Sequence, residues 1–153
     1  MPSRELKIPP LLLTAIAMAL SVAAGAWLPA FNWPFAGHKA LAVVLFVAGL
    51  CVMLWAALQF RLQHTTLDPR YPAKSTSVVT HGVYRFTRNP MYLGMALMLA
   101  GVAAWTASLL GALITIGFCV YLTELQIKPE ERFLLQQFGE EFRLYMARVR
   151  RWL

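Results

Sequence analysis

The stretch 91-MYLGMALMLAGVAAWTASLLGALITIGFCVYLT-123 runs 33 positions without a formal charge. A helix needs about 20 apolar residues to cross a hydrocarbon layer of roughly 30 Å, so this stretch is too long for one crossing and short for two joined by an ordinary loop. The conflict resolves at Trp105-Thr106-Ala107-Ser108, where an interfacial aromatic and small hydroxyl residues interrupt the Leu and Met run. We read a tight hairpin, with helices over 91–106 and 108–126. Working outward, residues 11–30 hold no charge in 20 positions and residues 40–60 none in 21. The expected fold is therefore all-α: one integral membrane domain over 1–153 with four transmembrane helices.

Composition agrees with lipid as the solvent, since hydrophobic residues make up 59% and charged residues 14%. The net charge of +7 is unevenly placed. Arg61, Arg70, Lys74, Arg85 and Arg88 share one connection with Asp68 opposing them, the tail carries six more basic residues, and Arg4 and Lys7 precede the first helix, whereas the turn of the hairpin has none. By the positive-inside bias, 61–90 and 127–153 are cytoplasmic, and so are both termini. The expected location is a multi-pass protein of a bacterial inner membrane. A cleaved signal peptide is disfavoured, because the first apolar run exceeds an ordinary signal core and three more apolar segments follow. The basic residues flank apolar spans, where anionic headgroups attract them, so nucleic acid is not the expected partner. Cys51 and Cys119 both fall in apolar segments without a nearby His or third thiol; they read as buried small side chains and not as a metal site.

Along the chain, Pro9 and Pro10 suit a helix start, and 29–37 has the Pro, Gly and Trp content of an outer turn. In the long inner connection, Asp68-Pro69-Arg70-Tyr71-Pro72 reads as a turn and Ser75-Thr76-Ser77 as a polar piece. Asn89-Pro90 reads as an N-cap followed by proline at the first helical position, where free amides favour an anion. After Pro129, the residues Leu134, Phe138, Phe142, Tyr145, Val149 and Trp152 recur at steps of three or four. That spacing predicts an amphipathic tail lying on the inner membrane surface, bent at Gly139. Trp105 and Trp152 read as interface anchors.

Polar chemistry sits at both edges of the hairpin. Ahead of it comes His81-Gly82-Val83-Tyr84-Arg85-Phe86-Thr87-Arg88-Asn89-Pro90-Met91-Tyr92-Leu93-Gly94; at its end comes Lys128-Pro129-Glu130-Glu131-Arg132. Two helices that cross and return bring these clusters together, which suggests one site. The pattern His-Gly-x-Tyr-x-x-x-Arg-Asn-Pro-x-Tyr-x-Gly, then an apolar hairpin, Glu-Glu and Phe-Gly-x-x-(aromatic)-x-x-Tyr, resembles the integral-membrane methyltransferases that include isoprenylcysteine carboxyl methyltransferase and phospholipid N-methyltransferases. The likeness covers about half of the chain, from His81 onward. It implies S-adenosylmethionine as cofactor and a lipid-like acceptor entering from the bilayer. It further implies that His81, Gly82, Tyr84, Arg88, Pro90, Tyr92 and Gly94 form one wall of the cofactor pocket and Glu130 and Glu131 the other, with His81, Arg88 and Glu131 as the catalytic group. Asn89 stands where many members of that family have histidine.

The residues themselves suit such a ligand. Arg88, or the amides after Asn89, match a carboxylate; a glutamate matches an ammonium or a ribose; and the Tyr84 or Tyr92 ring suits a sulfonium. Gly82 and Gly94 allow close backbone approach. A carboxylate acceptor needs no base, whereas an amine must lose a proton, for which His81 or a glutamate is the candidate. Each residue has a plainer reading beside this one. Arg85 reads as a positive-inside anchor, Tyr84 and Tyr92 can be belt aromatics, and Glu130 and Glu131 can serve the dipole of the tail helix. Glu124 either emerges into headgroups or faces the cofactor, and Glu140 and Glu141 read as a solvated face. Two rival classes stay open, a small four-helix transporter and a non-catalytic membrane scaffold; the first would show an ionisable residue in mid-membrane, which the first two spans lack.

Overall fold

The computed structural model describes residues 8–62 and 78–153, and the regular elements in them are helices, with no strand. The turn expected at 68–72, the polar piece at 75–77, and Arg4 and Lys7 lie outside the described residues. The main helices are α1 (Pro10–Trp27), α2 (His38–Leu62), α3 (Pro90–Trp105), α4 (Leu109–Tyr121), α5 (Lys128–Phe138) and α6 (Glu140–Arg148). Three helical runs are long and apolar enough to cross a membrane: Pro10–Trp27, His38–Gln59 and Leu109–Phe138. Four were expected. The fourth candidate, α3, has 16 residues and spans about 24 Å at 1.5 Å per residue. It is short and central, touching α1, α2 and α4.

On α1 and α2 most large apolar side chains point outward and the buried positions are small, the reverse of a soluble bundle. Leu11, Ile16, Leu20, Val43, Val47, Leu54, Leu113 and Ile116 are exposed. On α1 the buried positions are Pro10, Thr14, Ala17, Ser21 and Gly25, a stripe at steps of three or four. Lipid tails are as apolar as leucine, so helices in a bilayer associate through close packing of small residues rather than by hiding large ones. Between α2 and α3 this goes furthest: a Cβ at Gly94 would stand 2.6 Å from the Gly49 carbonyl oxygen, and one at Gly101 would stand 2.8 Å from that of Ala42. Only glycine allows the two backbones to pass this closely. Cys51, expected to be buried, lies on the outward face of α2, and Cys119 is half-buried; both are free thiols.

The end of the bundle that holds the two short turns is laced together. Ser108 caps α4 by accepting from the Gly111 amide at 3.2 Å. The Trp33 amide donates to the Ala107 carbonyl at 2.7 Å, Asn32 Nδ2 donates to the Gly25 carbonyl at 2.7 Å, and His38 Nδ1 lies 3.0 Å from the Ala104 carbonyl. Trp105 is exposed at this end with the Lys39 ammonium over its ring, as suits an interfacial residue.

At the other end the chain departs from expectation. Instead of stopping at 126, the helix continues from α4 into α5 through a π-helical turn, Leu122–Ile127. Pro129 explains it: proline offers no N–H to the carbonyl four residues back and its ring crowds that carbonyl, and a widened turn relieves both. The tail bends at Gly139, whose φ is +52°, a left-handed value that glycine adopts without steric cost. Much of its apolar face packs on protein. Phe142, Tyr145 and Val149 are buried against Ala56, Val79, Val83 and Tyr84, with Leu134 and Phe138 packed alongside. Trp152, read as an interface anchor, packs against the α3–α4 core and donates from Nε1 to Thr123 Oγ1 at 3.1 Å.

Candidate functional site

The segment ahead of α3 and the acidic pair in α5 meet by direct contact. Tyr92, in the first turn of α3, donates its hydroxyl to Glu130 Oε1 at 2.9 Å, and Gln126 Nε2, one turn before Glu130, donates to the same oxygen. Arg88 donates from Nη2 to Glu131 Oε1 at 2.8 Å. Consecutive residues on a helix point about 100° apart, so the adjacent glutamates reach separate partners. Glu130 takes the phenol from α3 and Glu131 takes the guanidinium from the preceding loop.

The tail supplies a third part that the sequence did not announce. Arg151 Nη2 donates to Glu131 Oε2 at 2.7 Å and Arg151 Nε to Oε1 at 3.1 Å. Arg88 Nη1 donates to the carbonyls of Met146 at 3.0 Å and Val149 at 2.8 Å, and its amide to the Arg150 carbonyl at 3.0 Å. The Arg151 carbonyl accepts from Asn89 Nδ2 at 3.0 Å and from Thr87 Oγ1 at 3.3 Å. Asn89 thus occupies the N-cap position without capping, because its side-chain amide is spent on the tail. Thr87 Oγ1 accepts from the Asn89 amide at 3.2 Å instead. The Arg88–Glu131–Arg151 triad is mostly sequestered, with Arg88 and Glu131 side chains 11% and 12% exposed. Charges this far from water persist only when paired and hydrogen-bonded, and here each carboxylate oxygen meets a guanidinium.

The other expected site residues take varied places. Tyr84 is buried, and its carbonyl accepts from the Tyr145 hydroxyl at 2.8 Å; burial raises both phenols well above the ordinary tyrosine range, so they stay neutral. Gly82 has φ +60°, and a Cβ there would run into the Gln59 side chain, which joins this loop to the end of α2. His81 is exposed at the start of the short helix Gly82–Arg85. Pro90 is buried at the first position of α3. Gly94 is two residues from Tyr92, hence about 200° around the helix, and faces Gly49 and Met53 of α2. Glu124 pairs with Lys128 at 2.7 Å and Glu140 with Arg143 at 2.7 Å, exposed contacts of small energy. Among the described residues no group of three or more His, Cys, Asp or Glu side chains is arranged to hold a metal ion.

Signals for the missed residues were faint but present. Gln126 is one helical turn before Glu130, on the same face of the helix. Removing the phenolic hydroxyl in Tyr92→Phe is expected to cost about 1 kcal/mol, the net worth of one hydrogen bond, and to loosen Glu130. Thermal unfolding in detergent measures the first effect, and an unchanged midpoint would contradict the contact.

Residues 38–141, more than half of the chain, match the family model described as phospholipid methyltransferase. A Haemophilus influenzae protein described only as uncharacterized is 40% identical over 63 residues, 41% of this chain and 100% of its own length. Two proteins of rice, Oryza sativa subsp. indica and subsp. japonica, each described as a probable protein-S-isoprenylcysteine O-methyltransferase, are 36% identical over 75 residues. That alignment takes in 47% of this chain and 38% of the length of each rice protein. The matched span holds α2, the loop with Arg88, the α3–α4 hairpin and the Glu130–Glu131 pair, and with that extent of agreement the chain belongs to the phospholipid methyltransferase family.

Proposed function

We propose that the protein is an S-adenosylmethionine-dependent methyltransferase acting on a lipophilic acceptor at the cytoplasmic face of a membrane, with four helices crossing and both termini inside. The observation that carries this reading is the double contact, Tyr92 to Glu130 and Arg88 to Glu131, between the loop before the hairpin and the acidic pair after it. The donor set suits the cofactor's amino-acid part: carboxylates for an ammonium, guanidinium groups for a carboxylate. When bound, the cofactor supplies a methyl group activated on a cationic sulfur.

The work left to the protein is positioning. In-line displacement at carbon needs acceptor and donor aligned, and fixing them can supply several kcal/mol of the barrier. The Tyr92–Glu130–Gln126 contact and the Arg88–Glu131–Arg151 triad fix the two carboxylates, and the buried Tyr84 cluster packs the tail onto the loop that carries Arg88. A carboxylate acceptor is methylated without a base; for an amine acceptor, His81 is the exposed imidazole available to take the proton.

Calorimetry with S-adenosylhomocysteine on detergent-solubilised protein tests this. Wild type is expected to bind in the micromolar range and Glu130→Gln at least about ten-fold more weakly, the effect of one charge-assisted contact. Failure of wild type to bind would leave a transporter or a non-catalytic scaffold as the better reading. Incubating the protein with methyl-labelled cofactor and membrane lipid extract then identifies the acceptor.

A further inference from the structure

Arg88 and Arg151 hold the same carboxylate from unlike positions. The Arg88 side chain is 11% exposed, and three of its donor contacts are already spent: two on the Met146 and Val149 carbonyls and one on Glu131. Its remaining Nε is enclosed. With three of its five N–H donors spent and its Nε enclosed, this guanidinium is a staple for the tail and presents little open edge to an incoming anion. Arg151 is three times as open, 33% exposed. It meets Glu131 through Nε and Nη2 alone, so among the described residues its Nη1 edge is uncommitted. Its backbone is fixed on both sides, by Thr87 and Asn89 at its own carbonyl and by Trp152 against Thr123. The side chain is therefore held in place before any ligand arrives.

We propose that Arg151, not Arg88, meets the carboxylate of the cofactor's amino-acid part, and that Arg88 acts through Glu131 as a positioning residue. The assignment rests on the methyltransferase reading and adds a ligand contact to it. Charge supports the arrangement. A zwitterionic amino acid needs a cation and an anion a few ångströms apart, and Arg151 with Glu131 is such a pair, its fork geometry fixing the carboxylate plane. Lysine has no fork and cannot hold Glu131 and a second carboxylate with one planar group.

The test compares two ligands on one set of proteins. S-adenosylhomocysteine carries the amino-acid part, whereas 5′-methylthioadenosine keeps the nucleoside and sulfur but lacks the carboxylate and ammonium. Dissociation constants are measured by competition for wild type, Arg151→Ala, Arg151→Lys and, as an exposed control in α6, Arg148→Ala, each well below its own unfolding midpoint. Arg151→Ala is expected to weaken S-adenosylhomocysteine at least ten-fold and to leave methylthioadenosine within two-fold of wild type. Arg151→Lys should fall between on the first ligand, and Arg148→Ala should match wild type on both. Equal weakening of both ligands would mean that Arg151 only supports the fold, and unchanged binding of S-adenosylhomocysteine would remove it from the site; either overturns the assignment. Should Arg151→Ala fail to fold, the lysine variant carries the same comparison. If wild type binds neither ligand, the methyltransferase reading itself falls, whereas wild-type binding with flat variants defeats the Arg151 assignment alone.

Discussion

Arg88→Ala is expected to detach the tail from the helix bundle. The substitution removes one guanidinium from the sequestered Glu131 and leaves the Met146 and Val149 carbonyls without the donor that joins them. Breaking one partner out of a buried ion pair costs about 3–5 kcal/mol, because the remaining charge stays away from water. Arg151 still reaches Glu131, which places the loss toward the lower end of that range. The backbone contact from residue 88 to Arg150 survives, since it uses the amide. Unfolding in detergent should show a lower midpoint, and limited proteolysis should cut within 139–153 well before the bundle. Arg88→Lys is expected to recover part of the loss, keeping the charge but not the three-way grip. An Arg88→Ala protein with the wild-type midpoint and an intact tail would show that the apolar cluster alone holds this segment.

Gly94→Val is expected to disrupt the bundle more severely. Its Cβ would stand 2.6 Å from the Gly49 carbonyl oxygen, 2.9 Å from Met53 Cβ and 3.0 Å from the Met53 amide nitrogen. Two of these three neighbours are backbone, so no side-chain rotation makes room. Overpacking of this kind costs about 1–3 kcal/mol where the surroundings can shift, and more where they cannot. Because α3 starts at the loop that carries Arg88, pushing α3 from α2 also moves Tyr92 relative to Glu130. Loss of folded protein in detergent, read by size-exclusion and thermal unfolding, is the expected result. Gly117→Val, at a position with nothing within 4 Å, is the matched control and should behave as wild type. Equal stability of the two variants would rule out tight α2–α3 packing.

Much of this architecture was legible in the sequence for physical reasons that can be named. The hairpin break was readable because Trp105 and the following small hydroxyl residues interrupt an apolar run, and the structure ends α3 at Trp105 and caps α4 with Ser108. The bend at Gly139 was readable because glycine alone enters that backbone region freely. Pro129 misled, since proline marks a boundary more often than it sits within a continuous helical run, and the π-helical turn that accommodates it has no sequence signature. Hydrophobic periodicity gave the apolar face of the tail but could not say whether lipid or protein covers it. Arg151 escaped notice because an arginine beside a membrane reads as an anchor, and its partners lie 20 residues away at Glu131 and 62 away at Asn89. Contacts at that separation leave no local trace.

The lacing at the hairpin end constrains how the molecule can open. Backbone and side-chain bonds there join α1, α2, α3 and the two short turns, so those helices behave like the blades of tongs joined at the handle. The opposite end is held by side chains instead, Tyr92 to Glu130 and Arg88 to Glu131. On the proposed function, a lipophilic acceptor is expected to enter at the end held by side chains, and a covalent bridge across that end should block turnover while one across the handle changes nothing.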